Sequence, residues 1–290
     1  MKENIFEIVQ LRCSYDKNYH EGLSRVVLEI YHLAIPRGKT VFIVGESGIG
    51  KSTILETLGM MNNTIVQGNE THFVFNDSDG TQTDLKALWH QGEKLLSDFR
   101  LKHYSFIFQS TNLMKNFTAF ENIAFTRMLQ GFSRFSSMWR CREVLAALGL
   151  DHIDEQRMAQ ELSGGQQQRL AFARAILPEF TVLFGDEPTG NLDTENARKV
   201  MQILKEKLSE HEGATAIIVS HDMPLALKFA DVIVKIKKRY RPKKHENDED
   251  ISYGFIDDSC IYSPFADTTL WTNGTDSYSP EEFETFLKTK

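Results

Sequence analysis

Gly45, Glu46, Ser47, Gly48, Ile49, Gly50, Lys51, Ser52 and Thr53 read GESGIGKST and fit the pattern G-x-x-x-x-G-K-[ST]. The apolar run Val41-Phe42-Ile43-Val44 precedes them and Ile54-Leu55-Glu56-Thr57-Leu58 follows. Strand, glycine-rich loop and helix therefore come in the order that a polyphosphate site requires. The glycines let successive backbone N–H groups turn inward, and the new helix aims its positive end at the same charge. Lys51 supplies a point charge for the β- and γ-phosphates, and the Ser52 hydroxyl is a ligand for Mg²⁺. The loop alone does not choose between a kinase, a GTPase, a motor and a transporter ATPase.

The chain has 290 residues, 41% hydrophobic and 25% charged, an ordinary globular composition with ample length for a core. No apolar run approaches the ~18 residues of a membrane span, and Met1-Lys2-Glu3-Asn4 does not open a signal peptide, so a cytoplasmic protein is expected. Cys13, Cys141 and Cys260 are far apart and form no C-x-x-C pair; free, inert thiols are expected, and no zinc site is visible. Residues 246 to 290 hold eleven acidic residues and two lysines, a balance of −9 that leaves +2 of the total −7 for the rest. A near-neutral body does not call for nucleic acid as a partner.

Working outward, alternation predicts strands over Ile5–Val9, Arg25–Ile35 and Thr40–Val44, an antiparallel layer beside a nucleotide core. Tyr15, before the strand pair, is placed to stack on an adenine or simply to pack, with Tyr19 as the competing aromatic. A short strand His72–Asn76 and a helix Asp84–Leu101 lead to an apolar strand Tyr104–Phe108, with Gln109 where that strand stops. Helices Phe120–Gln130, Ser137–Leu148 and Gly164–Leu177 follow without a strand between them, which reads as a helical subdomain inserted into an α/β core. Alternation resumes with strand Thr181–Gly185, helix Thr194–His211, strand Ala214–Ser220, helix Met223–Phe229 and strand Asp231–Ile236. Six of eight residues from Lys237 to Lys244 are basic and Glu246–Asp250 is acidic, the composition of a solvated linker. Beyond it, a strand near Tyr253–Tyr262 and a helix Pro280–Leu287 are expected.

Two further stretches narrow the chemistry. Thr181-Val182-Leu183-Phe184-Gly185-Asp186-Glu187 is an apolar strand ending in two carboxylates. Beside a phosphate loop, Asp186 can hold Mg²⁺ directly or through water and Glu187 can face the attacking water as its base or orienter; alone, the pair reads as well as a helix cap or a solvated turn. Leu162-Ser163-Gly164-Gly165-Gln166 opens a helix with Ser163 as its N-cap. That is an ordinary capped helix or a second anion site. One chain does not easily bring this site onto its own phosphate loop, so a partner's nucleotide is its natural ligand.

The ensemble strongly resembles the ATP-binding cassette family over roughly residues 5 to 237. GESGIGKST corresponds to Walker A, Gln109 to the Q-loop, LSGGQ at 162 to 166 to the signature motif and TVLFGDE at 181 to 187 to Walker B. Asn191-Leu192-Asp193 corresponds to the D-loop, His221 to the switch histidine and Tyr15 to the adenine-stacking aromatic. Phe108-Gln109, Asn112-Leu113, Thr118-Ala119, Glu121-Asn122 and the run Asp186 to Asp193 resemble the MacB/LolD/FtsE group in particular. The chain departs from the pattern in Gly185, where alanine is common, in a long segment between Walker A and Gln109, and in the tail after about Lys238.

The resemblance implies an α/β P-loop NTPase, with a RecA-like core, an antiparallel β subdomain and an inserted helical subdomain of the ABC ATPase type. Its boundaries are an ATPase domain over residues 1–238 with the helical subdomain at about 112–178, a charged linker over 239–250 and an acidic extension over 251–290. It implies that two protomers, as a homodimer, close head to tail over two ATP-Mg²⁺. Tyr15, the loop from Gly45 to Thr53, Ser163, Gly164, Gly165, Gln166 and Asp193 would hold nucleotide. Ser52, Gln109 and Asp186 would hold the metal, and Glu187, His221 and Gln109 would serve catalysis. Membrane permease subunits are the implied partners, at the cytoplasmic face of the inner membrane, for export or lipoprotein release. A regulatory ATPase of a membrane complex and a soluble ABC ATPase are the alternatives.

Overall fold

The computed structural model describes residues 3–16, 26–66, 70–190, 192–210, 213–241, 252–265 and 269–289. Tyr19, Asn191, the helix end at His211 and the charged run from residue 242 to 250 lie outside the described residues. The chain opens with strands β1 (Asn4–Cys13), β2 (Leu28–Pro36) and β3 (Thr40–Val44), helix α1 (Lys51–Leu58), strands β4 (His72–Asn76) and β5 (Gln82–Asp84), and helices α2 (Leu85–Leu88) and α3 (Glu93–His103). It continues through β6 (Tyr104–Ile107), helices α4 (Ala119–Leu129), α5 (Arg134–Ala147) and α6 (Gly164–Ile176), then β7 (Val182–Asp186), α7 (Thr194–Glu210) and β8 (Thr215–Val219). It ends with α8 (Met223–Phe229), β9 (Val232–Lys235), β10 (Lys237–Tyr240), β11 (Ser252–Ile256), β12 (Ile261–Pro264), β13 (Trp271–Thr272), β14 (Ser277–Tyr278) and α9 (Pro280–Lys288).

These elements form two compact units, one from Met1–Leu96 with Val219–Lys290, the other from Ser97–Ile218. In the first, a six-stranded sheet runs β10-β11-β2-β1-β4-β5. Its N-terminal part is the expected antiparallel layer, β1 pairing with β2 and β4. On β2, Leu28, Ile30, Leu33 and Ile35 are buried while Tyr31 is exposed, the alternation of a half-buried strand. The same unit holds β3, all five residues buried, which pairs in parallel with β9, while β12 pairs antiparallel with β9 and continues to β13 and β14. An unbroken apolar run such as Val41–Val44 suits a strand covered on both faces.

The helix expected over Asp84–Leu101 is interrupted. Asp84 belongs to β5, caps α2 by accepting a bond from Ala87 N at 3.0 Å, and α2 stops after one turn. Gly92 at φ 100° then turns the chain before α3, a left-handed conformation that costs glycine no Cβ clash.

In the second unit β6 pairs in parallel with β7, and β8 lies next to β7. The Phe106 ring stacks on Phe184 at 5.3 Å and Tyr104 meets Phe184 edge-on at 5.1 Å, tying the two strands together across their faces. Helices α4, α5 and α6 pack on one another with Thr118, Ser133 and Ser163 as side-chain N-caps.

The C-terminal segment is part of the first unit's core. The basic run read as linker begins as β10, and β11 joins the first sheet in parallel with β2. Helix α9 buries Phe283 completely against Trp271 at 5.3 Å and Tyr262 at 4.9 Å, and stacks Phe286 on Tyr278 at 4.8 Å. Lys235 Nζ donates to the carbonyls of Phe286 at 2.6 Å and Thr289 at 3.2 Å, satisfying acceptors that the end of α9 leaves open. Phe283→Ala should therefore cost about 3–5 kcal/mol, read from the urea midpoint of the full chain. Cys13, Cys141 and Cys260 are all free and buried, and burial raises Cys13 and Cys260 to about 11 and Cys141 to about 12. Since only the thiolate reacts, all three should resist a thiol reagent at pH 8 in the native protein and react promptly in guanidinium.

Candidate nucleotide site

The first unit carries the phosphate loop. After β3 the chain turns through Gly48 at φ 75° and Gly50 at φ 105°, conformations that would strain any side chain, and α1 starts at Lys51. Gly50 occupies the N-cap position, so no side chain caps α1, and the first turn contains no acidic residue. Its leading N–H groups form an electropositive end with no intrahelical partner, suited to an anion. Lys51 is buried, and its Nζ donates to the carbonyls of Gly45 at 2.9 Å and Glu46 at 2.6 Å, bracing the loop from inside. Ser52 next to it is exposed, while Thr53 is buried.

Tyr15 reaches the same helix. Its hydroxyl donates to Glu56 Oε2 at 2.8 Å and lies 3.2 Å from Thr53 Oγ1, while half of the residue remains exposed. A ring anchored by its hydroxyl keeps a free face at a fixed orientation. His221 is exposed in the turn before α8, where Asp222 caps the helix by accepting from Leu225 N at 2.9 Å. With Gly45, Glu46 and Ile49 it lines a cavity of about 720 Å³, whose other walls include Lys235, Lys238 and Phe286. Loop and histidine, about 170 residues apart in the chain, are thus neighbours around one cavity.

The second unit carries the remaining candidates. Asp186 ends β7 and Glu187 follows at φ 48°, a left-handed backbone that costs a side-chain-bearing residue roughly 1–2 kcal/mol. Gln109 Nε2 donates to Glu187 Oε2 at 3.4 Å, so the residue at the end of β6 meets the carboxylate after β7. Gln168 on α6 donates to the Pro188 carbonyl at 3.1 Å, linking the helix that begins at Gly164 to the chain just past Glu187. Ser163 and Gln166 exchange bonds in a capping box, Ser163 N to Gln166 Oε1 at 2.9 Å and Gln166 N to Ser163 Oγ at 3.4 Å. Gly164 and Gly165 face open space. Asp193 caps α7 through Asn196, whose bonds hold its carboxyl below the usual range.

The residues singled out after Gln109 have a shared structural task. Arg174 donates to the carbonyls of Asn112 at 2.7 Å and Thr111 at 2.8 Å, with Asn112 itself in a left-handed turn. Asn122, fully buried, grips Met114 through both its backbone groups and donates to the Thr118 carbonyl, while Thr118 and Glu121 form the capping box of α4. These bonds set the path of the chain that leaves Gln109. Sequence reading identified Asn122 and Thr118 as markers but missed Arg174, which has no motif of its own. It also missed Glu56 beneath Tyr15, whose helical position gives no hint of a partner 41 residues away.

Ser52 in the first unit, and Gln109 and Asp186 in the second, each carry an oxygen of the kind that Mg²⁺ takes, and the described residues contain no cluster of three acidic, histidine or cysteine side chains that would cage a metal alone.

The ABC transporter family model matches residues 28–190. The chain is 36% identical over 240 residues to the macrolide export ATP-binding/permease protein MacB of Aggregatibacter actinomycetemcomitans, covering 81% of this chain and 33% of that protein. It thus spans about a third of the length of the MacB relatives. It is 31% identical over 238 residues to the lipoprotein-releasing system ATP-binding protein LolD of Colwellia psychrerythraea, covering 82% of this chain and 87% of that one. Among solved structures, the dimeric structure of MJ0796, a bacterial ABC transporter cassette, superposes with a TM-score of 0.66 at 29% identity, covering 79% of this chain and 93% of that chain. The P-loop NTPase fold of ABC ATPases expected above is the fold observed. Because Glu187 sits at positive φ, Glu187→Gly should raise folding stability by about 1 kcal/mol in urea titration, whatever it does to activity.

Proposed function

Because the chain belongs to the ABC transporter family, we propose that it is the ATP-binding subunit of a transporter complex. It hydrolyses ATP as a head-to-tail homodimer to drive separate permease subunits in the MacB/LolD manner, by export or lipoprotein release. The observation that carries the reading is the phosphate loop itself. An uncapped helix start, glycines in left-handed conformations and a buried lysine converge where a triphosphate would lie.

In this reading Tyr15 stacks on the adenine, the loop from Gly45 to Thr53 wraps the phosphates, and Lys51 turns from the loop carbonyls to the β- and γ-phosphates. Ser163 to Gln166 and Asp193 of one protomer complete the nucleotide site of the other. Ser52, Asp186 and Gln109 would hold Mg²⁺, which when bound neutralises phosphate charge. Glu187 accepts the proton of the attacking water, with Gln109 fixing one of its oxygens, and His221 donates toward the γ-phosphate. Strain at Glu187 serves this task by holding the carboxylate off the line of β7.

No helix among the described residues is long and apolar enough to cross a membrane. Phe125, Met128, Leu129, Phe135 and Trp139 on α4 and α5 are large apolar side chains left exposed, Phe135 to 84%. An exposed apolar face of this kind suits a protein partner, and we assign it to the permease, at the cytoplasmic face of the inner membrane. Purified Glu187→Gln should bind ATP as tightly as wild type, hydrolyse it at least about a hundredfold more slowly, and accumulate as an ATP-bound dimer in size-exclusion chromatography. Wild-type turnover would remove Glu187 from its assigned role. Phe135→Asp should leave ATP binding intact while a co-purifying membrane subunit is lost.

A further inference from the structure

The β10–β11 hairpin lies against the phosphate loop although about 200 residues separate them in the chain. On β11, Gly254 N donates to the Val27 carbonyl at 2.9 Å and Gly254 pairs with Leu28 of β2. A Cβ on Gly254 would overlap the Ile49 carbonyl oxygen outright, and it would come within 3.0 Å of Ile236 and Leu28 side-chain atoms. Glycine inside a strand commonly marks the close approach of another backbone, and here that backbone is the loop's own. On the adjoining strand, Lys238 Nζ makes an ion pair with Glu46 Oε2 at 3.2 Å, with both side chains partly exposed. Glu46 raises the pKa of the Lys238 ammonium in turn.

Both contacts add to the lysine brace within the loop. Lys51 holds the carbonyls of Gly45 and Glu46 from within, while β10 holds the Glu46 side chain and β11 abuts the Ile49 carbonyl. A peptide plane whose carbonyl is fixed has its orientation fixed as well, so the inward direction of the neighbouring N–H groups is set from outside the motif. The hairpin is in turn carried by residues of the chain's last quarter, β10 and β11 pairing from Lys237 with Phe255 to Tyr240 with Ser252.

We propose that Gly254 and Lys238 are positioning residues for the phosphate loop, so that the C-terminal segment sets the affinity of the chain for ATP. This rests on the reading of that loop as the ATP site. Gly254 acts through Ile49, and Lys238 acts through Glu46.

Binding of ATP-Mg²⁺ by the full-length chain, measured by titration calorimetry beside a thermal melt, is the test. Gly254→Ala should raise Kd by about tenfold or more, because the Ile49 peptide has to move. Lys238→Ala should raise it about two- to fivefold at low salt, with the difference shrinking at high salt and an unchanged melting temperature. Lys238→Arg should bind as wild type, and the exchange Lys238→Glu with Glu46→Lys should recover part of the affinity that Lys238→Glu alone loses. These surface variants keep the test open should Gly254→Ala fail to fold. Wild-type Kd in folded Gly254→Ala, or in Lys238→Glu, overturns the positioning role. A wild-type chain that does not bind ATP instead overturns the reading of the loop as an ATP site.

Discussion

A loop that binds polyphosphate has to hold several backbone N–H groups unpaired and pointing the same way, and the rest of the structure accommodates that requirement. Unpaired donors are costly to bury, and the loop follows the end of β3 with Gly45, Glu46 and Ile49 lining a cavity. Conformational freedom at Gly48 and Gly50 permits the turn without enforcing it. Enforcement comes from contacts: the ammonium of Lys51 on two loop carbonyls, the packing of Gly50 against Leu28 of β2, and the strands of the C-terminal hairpin. Placing the donors is thus a task of tertiary structure as much as of the motif.

In the second unit, Glu187 follows β7 in a left-handed backbone conformation. Pro188 and Gly190 shape the turn after it, Gln168 ties its carbonyl side to α6, and Gln109 meets its side chain. The stretch beyond Gln109 is held as firmly, by Arg174 and the buried Asn122. The chain that leaves Gln109 is therefore tied to α4 and α6 through hydrogen bonds rather than through a slack connection.

The C-terminal segment illustrates how composition misleads. Its acidity and the basic run before it have the look of a solvated appendage, yet its aromatic residues form a buried cluster around Phe283 and its strands extend two sheets. Asp258, Glu281, Glu282 and Lys288 are exposed, and a few aromatic side chains suffice to dock the segment. The charged stretch that suggested a linker is, at Lys238, the partner of a phosphate-loop residue.

Much of this protein was legible in the chain alone. The phosphate loop, the carboxylate pair at 186 and 187, the helix start at 163 and most strands and helices follow from local rules: glycine tolerance, period-two and period-3.6 patterning, and capping preference. Those rules act within a few residues, so a reading of sequence recovers them. Tertiary structure decided what depends on distant partners. The break between α2 and α3, Glu56 beneath Tyr15, the grip of Arg174 on the chain after Gln109, the strain at Glu187 and the seat of Gly254 on Ile49 all arise from groups brought together by folding. Close approach leaves no local signature beyond a lone glycine or an unremarkable charged residue, because the atoms that impose it lie elsewhere in the chain.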